Sequence, residues 1–223
     1  MDFSFLSEYY PYFISGTINT IIIAILTVLF GVILGTVLAL LKISNSKILR
    51  AIASAYIEFI RGTPLLVQIY IIFYMISFPD FTLFGLEMAR FIPGVIALSI
   101  NSAAYVAEII RAGIQAVDKG QMEASRSLGF TKGQAMKYVV LPQAVKNILP
   151  ALGNEFVVVI KESSIVSIIG IAELMMSANI IRGAIYRPFE PLLVVAVIYF
   201  ALTFTLTRVL GVAERRMNKD DRG

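Results

Sequence analysis

The sequence predicts an all-α membrane protein of five transmembrane helices, with the N-terminus outside and the C-terminus in the cytoplasm. Three observations predict it. Apolar residues make up 58% of the 223 residues, against about 45–50% in a soluble domain. They gather in blocks that reach the ~20 residues a helix needs to cross the hydrocarbon core. Lysine and arginine crowd alternate loops, as the positive-inside rule expects of a multi-pass chain.

Taken in order, the first span covers about Ile14–Leu41, the second Ile57–Phe78 and the third Phe91–Ile114. The fourth, Ala144–Ile160, is broken by polar residues, and the fifth covers Pro191–Val212. The apolar run Ile165–Ile171 is too short to cross and reads as re-entrant or as a fragment of the fourth span. Six spans is the competing count. The opening Asp2–Tyr12 mixes aromatic and acidic side chains, which fits a segment lying at the outer interface. No cation precedes Lys42, so the basic start of a cleaved signal peptide is missing.

The loops fix the orientation. Lys42, Lys47 and Arg50 separate the first two spans, whereas Pro79–Arg90 offers only Arg90. Lys119, Arg126, Lys132 and Lys137 fill the third loop, Arg182 and Arg187 the fourth, and Arg208, Arg215, Arg216, Lys219 and Arg222 the tail. High counts alternate with low ones, and an odd number of spans agrees. No repeat or linker interrupts the chain, so residues 1–223 read as one domain.

Composition also excludes chemistry. The formal charge of +4 would suggest nucleic acid in a soluble protein, but here the cations mark loops, and no nucleic-acid partner is expected. Without cysteine there is no disulfide or thiolate. Without histidine the commonest general base and metal ligand is missing. No catalytic or metal-binding residue is assigned.

Residues Asp118–Pro142 contain two short helices in outline. Asp118 can cap the first, with Gln121 completing a capping-box pattern. Gly129 stands where a left-handed residue would end it. Thr131 and Gln134 repeat the box, and Pro142 suits the first turn of whatever follows. Such a corner can act as a rigid knob that engages a partner and transmits its movement, or it can be an ordinary loop tidied by two caps.

This loop resembles the EAA motif of bacterial ABC importer permeases: Glu-Ala-Ala, three residues, Gly, nine residues, Ile-x-Leu-Pro. Here it reads Glu123-Ala124-Ser125, Gly129 and Val139-Val140-Leu141-Pro142, with spacing kept and with Ser125 and Val139 as mild departures. Phe59–Gln68, Asn101–Glu108, Gly153-Asn154-Glu155 and Lys161–Ser164 are similar to polar amino acid permeases of the histidine/glutamine/arginine type. The resemblance runs over essentially the whole chain. It implies the type I ABC importer fold in a bacterial cell membrane. It also implies a second permease copy, identical or paralogous, and two cytoplasmic ATP-binding subunits that hold ATP and magnesium. An extracytoplasmic binding protein would deliver the amino acid. Glu123, Ala124, Ser125, Gly129, Leu141 and Pro142 would couple this chain to the ATP-binding subunits. The chain lacks a Gly-x-x-x-x-Gly-Lys-Ser/Thr run, so it binds no ATP by a P-loop and carries no cofactor of its own.

Polar groups at membrane depth each need a reason, because insertion there is costly. Asn154 and Glu155 interrupt the fourth span. The resemblance places a substrate contact at Glu155, where a carboxylate suits an ammonium or guanidinium; the alternative is a salt bridge to Lys161 or Arg61. Arg61 precedes Gly62-Thr63-Pro64, where the helix either breaks beside a cavity or simply begins. Arg61 is thus a candidate partner for a carboxylate, or an interfacial cation. Asn101, Tyr105 and Glu108 share one helix face; Asn101 and Tyr105 are candidates for the path, while Glu108 and Arg111 neutralise one another. Ser163 and Ser164 either line the path or hydrogen-bond backbone at a kink. Gly31 and Gly35 allow close helix contact. The function expected is an importer permease working by alternating access. The competing reading is a self-sufficient ion-coupled carrier or channel.

Overall fold

In the computed structural model of the protein, residues 1–83 and 85–219 are described, with side chains up to residue 215. Arg222, counted with the tail, lies outside the described residues, as do the side chains of Arg216 and Lys219. The order of elements is α1 (Leu6–Ile43), α2 (Lys47–Gly62), α3 (Leu65–Met75), strands β1 (Thr82–Leu83) and β2 (Leu86–Glu87), then α4 (Met88–Gln115). There follow α5 (Lys119–Ser127), α6 (Lys132–Ala135), a π-helical turn (Met136–Val140), α7 (Leu141–Glu162) and a 3₁₀ turn (Ser163–Ile169). The chain ends in α8 (Leu174–Ile185) and α9 (Glu190–Lys219). The antiparallel pair β1–β2 is a minimal hairpin with Thr82 opposite Glu87.

α1 and α4 form the centre. At 38 residues and 1.5 Å per residue, α1 is about 57 Å long, nearly twice the hydrocarbon thickness. Its buried stripe is built from small or hydroxylated residues, including Gly16, Thr20, Ala24, Thr27, Gly31, Gly35 and Ala39. That stripe lets α4 run alongside it, almost backbone to backbone. A Cβ on Gly31 would lie 2.9 Å from Ser102 Oγ, and one on Gly35 would lie 2.7 Å from Val106 Cβ. The predicted small pair is therefore the α1–α4 contact. α1 begins at Leu6 rather than near Ile14, because Phe5 and Phe13 have an apolar partner: they pack with Leu174, Ala178, Ile181 and Val195.

The segment predicted as the second span is bent. α2 and α3 meet at Thr63–Pro64 with a turn of 108°. Pro64 donates no hydrogen bond and drives Thr63 into extended backbone, at φ −117° and ψ 147°. α7 continues into the 3₁₀ turn, so the apolar run Ile165–Ile171 is joined to the end of α7, and α8 follows at 48°. α8 was not foreseen, although Leu174, Ala178 and Ile181, all buried, trace one helical face. Among the described residues three helices, α1, α4 and α9, are long and apolar enough to cross a membrane, or up to five segments if each bent pair counts as one span.

Candidate substrate site and coupling corner

The site is centred where α7 faces α4. Glu155 is buried on α7, and one carboxylate oxygen accepts the hydroxyl of Ser102 on α4 at 2.9 Å. Ser102 in turn lies against Gly31 of α1. Three helices therefore meet at the height of this carboxylate, and only a glycine on α1 leaves room for the serine. Among the described ion pairs, Glu155 joins neither Lys161 nor Arg61. A neighbouring residue, Asn154, points about 100° away and is exposed.

One turn along α4, the guanidinium of Arg61 stands 5.4 Å from the ring centroid of Tyr105, a cation–π contact between α2 and α4. Both side chains are exposed. Ser102 and Tyr105 are three residues apart, so a carboxylate and a guanidinium border adjoining turns of one helix.

Asn101 serves a different purpose. Its amide donates to Gln68 Oε1 at 2.8 Å, and Gln68 Nε2 reaches Ile60 O at 2.7 Å and Thr63 Oγ1 at 2.8 Å. The first of the Gln68 contacts satisfies the Ile60 carbonyl, freed where Pro64 has no N–H to offer it. The sequence reading left Gln68 without a role; its signal was a lone amide within Leu65–Met75. Ser163 is buried and donates to Ile160 O at 2.7 Å, and Ser164 donates to Lys161 O at 2.7 Å, so both hydroxyls bond back onto the end of α7. Glu108 pairs with Arg111 Nη2 at 2.8 Å and also with Lys42 of α1.

The corner is held by local chemistry. Asp118 accepts the amide of Gly120 at 2.6 Å, while Gln121 leaves the expected box and takes a hydrogen bond from Gln143 of α7 instead. At the other end of α5, Gly129 adopts φ +94°. Its amide reaches Arg126 O at 3.1 Å and that of Phe130 reaches Ser125 O at 3.2 Å, the paired bonds of a Schellman motif. Thr131 and Gln134 complete a reciprocal capping box. The second helix of the corner is not free-standing. α6 runs through the π-helical turn into α7, where Leu141 and Pro142 open the first turn. Pro142 has no N–H for the carbonyl four residues back, and the wider turn before it absorbs the misfit. Of the motif residues, Ser125 is buried, Leu141 is 37% exposed, and Glu123 and Ala124 face outward. The corner is therefore stiff and welded to the helix that carries Glu155. A groove of about 510 Å³ lies beneath it, lined by Ile114, Val117, Asp118, Met122, Met136 and Val140.

Residues 27–219 match the family described as binding-protein-dependent transport system inner membrane component. The arginine transport system permease protein ArtQ of Bacillus subtilis is 42% identical over 221 residues, covering 99% of both chains. A putative glutamine transport system permease protein GlnP of Rickettsia conorii is 40% identical, covering 96% of this chain and 98% of that one. A crystal structure of an amino acid ABC transporter with histidines superposes with a TM-score of 0.90 at 52% identity, over 97% of this chain and 99% of the other. The MetNI methionine ABC transporter in an inward-facing form shares the fold, with a TM-score of 0.77 at 18% identity and the same coverage. Every structural feature above, from the paired glycines of α1 to the welded corner before α7, is thus found in a chain that belongs to the family of binding-protein-dependent transport system inner membrane components.

Proposed function

We propose that this chain is the permease subunit of an ATP-driven importer for polar amino acids. The observation that carries the reading is the end-to-end likeness, at 52% identity, to a chain of an amino acid ABC transporter. Five spans follow if α2–α3 and α7–α8 each count once. Their orientation follows the loop cations, with the N-terminus outside and α5 and the C-terminus in the cytoplasm of a bacterium. Two copies of the fold, identical or paralogous, enclose the path. Two ATP-binding subunits holding ATP and magnesium grip the corner from Glu123 to Gly129, and a binding protein delivers substrate from outside.

Glu155 is the contact for the ammonium or guanidinium of the substrate. It already sits buried with a single hydroxyl partner, so a cation brought there regains the charge stabilisation that the bundle leaves unfilled. Arg61, held over Tyr105, receives the α-carboxylate. Asn101, through Gln68, holds the helix break beside Arg61, and Ser163 and Ser164 brace the end of α7; Asn154, which faces away from Glu155, would meet substrate only from another side of α7. Closure of the ATP-binding subunits moves the corner, and α7 moves with it because α6 runs through the π-helical turn into α7 with no break.

The test is ligand-stimulated ATP hydrolysis by the reconstituted complex, surveyed across amino acids. Glu155→Gln should abolish substrate stimulation while leaving assembly intact. Solute uptake at full rate with no ATP-binding subunit and no nucleotide would overturn the importer in favour of a self-sufficient carrier.

A further inference from the structure

α2 has three faces. Ala53, Ile57 and Ile60 are buried, and the two isoleucines pack with Ala39 of α1 and with Ala104 and Ala107 of α4. Ile48, Ile52 and Phe59 form an apolar face, all of them exposed. Lys47, Arg50, Glu58 and Arg61 form a charged face, also exposed. At about 100° per residue the three sets centre about 120° apart. An exposed charge is costly against lipid, so the charged face borders water. The apolar face borders lipid or protein.

The charged face reaches the level of Glu155. Tyr56 donates to Ile100 O of α4 at 2.8 Å, and the Arg61 guanidinium lies over the ring of Tyr105. Between Ile100 and Tyr105 stands Ser102, whose hydroxyl Glu155 accepts. The last turns of α2 therefore meet α4 along the stretch that also holds Glu155. Glu58 and Arg61 are three residues apart there, a spacing at which opposite charges on a helix can pair. They do not pair, and among the described residues Glu58 takes part in no ion pair or hydrogen bond. One turn of α2 thus presents an anion and a cation side by side, neither neutralised within the bundle.

We propose that Glu58 and Arg61 form a subsite for the zwitterionic head of the amino acid, with the α-ammonium on Glu58 and the α-carboxylate on Arg61. This assignment rests on the importer reading and on Arg61 as the contact for the carboxylate. It also divides the work between the two carboxylates. With the head held by α2, Glu155 on α7 is left for the far end of the substrate. A buried carboxylate with one hydroxyl partner favours a cation there, so the substrate class is amino acids with a guanidinium or ammonium side chain.

Arginine, citrulline and argininic acid serve as probes of equilibrium binding to the purified complex of permease and ATP-binding subunits. Citrulline is a neutral replica of arginine, and argininic acid carries a hydroxyl in place of the α-ammonium. Wild type binds arginine about tenfold or more tightly than citrulline, the effect of one charge-assisted contact. Glu58→Gln weakens arginine and citrulline by the same factor, again about tenfold, and leaves argininic acid unchanged. Glu155→Gln instead brings arginine down to the level of citrulline. Because Glu58 makes no bond among the described residues, its variant keeps the wild-type unfolding temperature.

Unchanged arginine binding in Glu58→Gln overturns the subsite, and so does a loss confined to arginine, which belongs to a side-chain contact. A lower unfolding temperature with all three probes weakened alike shows a structural role and overturns it too. Equal binding of arginine and citrulline by wild type overturns the cationic class. In each of these cases ATP hydrolysis by the full complex that still responds to an amino acid keeps the importer reading. A wild-type complex that no amino acid binds or stimulates overturns that reading and the subsite with it.

Discussion

Single side chains in this bundle differ in how completely their polar atoms are satisfied. Thr27, 0% exposed on the stripe of α1 that faces α4, has a hydroxyl with no hydrogen-bond partner. A buried unpaired hydroxyl costs on the order of 1–3 kcal/mol. Thr27→Val replaces it with a methyl of the same shape, so thermal unfolding in detergent should move to higher temperature. A lower midpoint would mean that the hydroxyl is bonded. The opposite case is Gln68, whose amide is fully used by the break at Pro64 and by Asn101. Gln68→Leu removes those bonds, takes the acceptor from the Asn101 amide and leaves the Ile60 carbonyl with only the long 3.4 Å contact from Thr63 Oγ1. A loss of about 2–4 kcal/mol is expected, read as a lower unfolding temperature with insertion retained.

Between elements, the two decisive features are a close approach and a turn. Gly35 lets α1 meet α4, and a Cβ there falls 2.7 Å from Val106 Cβ and 2.8 Å from the backbone oxygen of Ala103. Gly35→Leu must push the helices apart at a cost of about 1–3 kcal/mol or more. Gly62→Ala is the control, since a Cβ at Gly62 meets nothing within 4 Å, and its unfolding temperature should barely change. At the corner, Gly129 holds φ +94°, which proline cannot adopt. Gly129→Pro should therefore abolish co-purification of ATP-binding subunits without removing the chain from the membrane. Retention of those subunits would show that coupling does not depend on the shape of this turn.

Across the whole molecule, the first residues are tied to the far end of the chain. Asp2 Oδ2 pairs with Arg187 Nη1 at 2.6 Å in the segment between α8 and α9. The amide of Ser4 and then the Arg187 guanidinium hold the Asp2 carboxyl well below the usual carboxylate range. A carboxyl lowered in the folded state contributes above its unfolded value of about 3.9 and loses that contribution only as pH falls through the folded one. The clasp should thus be unchanged from about pH 8 to 5 and open in strong acid. The chain has no cysteine, so a spin label at Phe3→Cys can report it directly. Label mobility should be flat across that range and should rise at neutral pH in Arg187→Gln.

What the sequence determined by itself was everything encoded within one or two helical turns. The apolar blocks marked α1, α4, α7 and α9; Pro64 marked a helix boundary, left open between a break and a start; Gly129 and the Thr131–Gln134 box marked the corner. Each depends only on backbone sterics and nearest-neighbour hydrogen bonds. The local pattern failed where two solutions were close: Gln121 fits a box with Asp118, yet Gln143, 22 residues on, took it. The tertiary structure alone decided which distant groups meet. Glu155 and Ser102 are 53 residues apart, Gln68 and Asn101 are 33 apart, and Glu173 and Tyr199 are 26 apart. Such pairs depend on the rotation and height at which separate helices pack. Those are set by where glycines permit contact along α1, which no periodicity within a single segment can express.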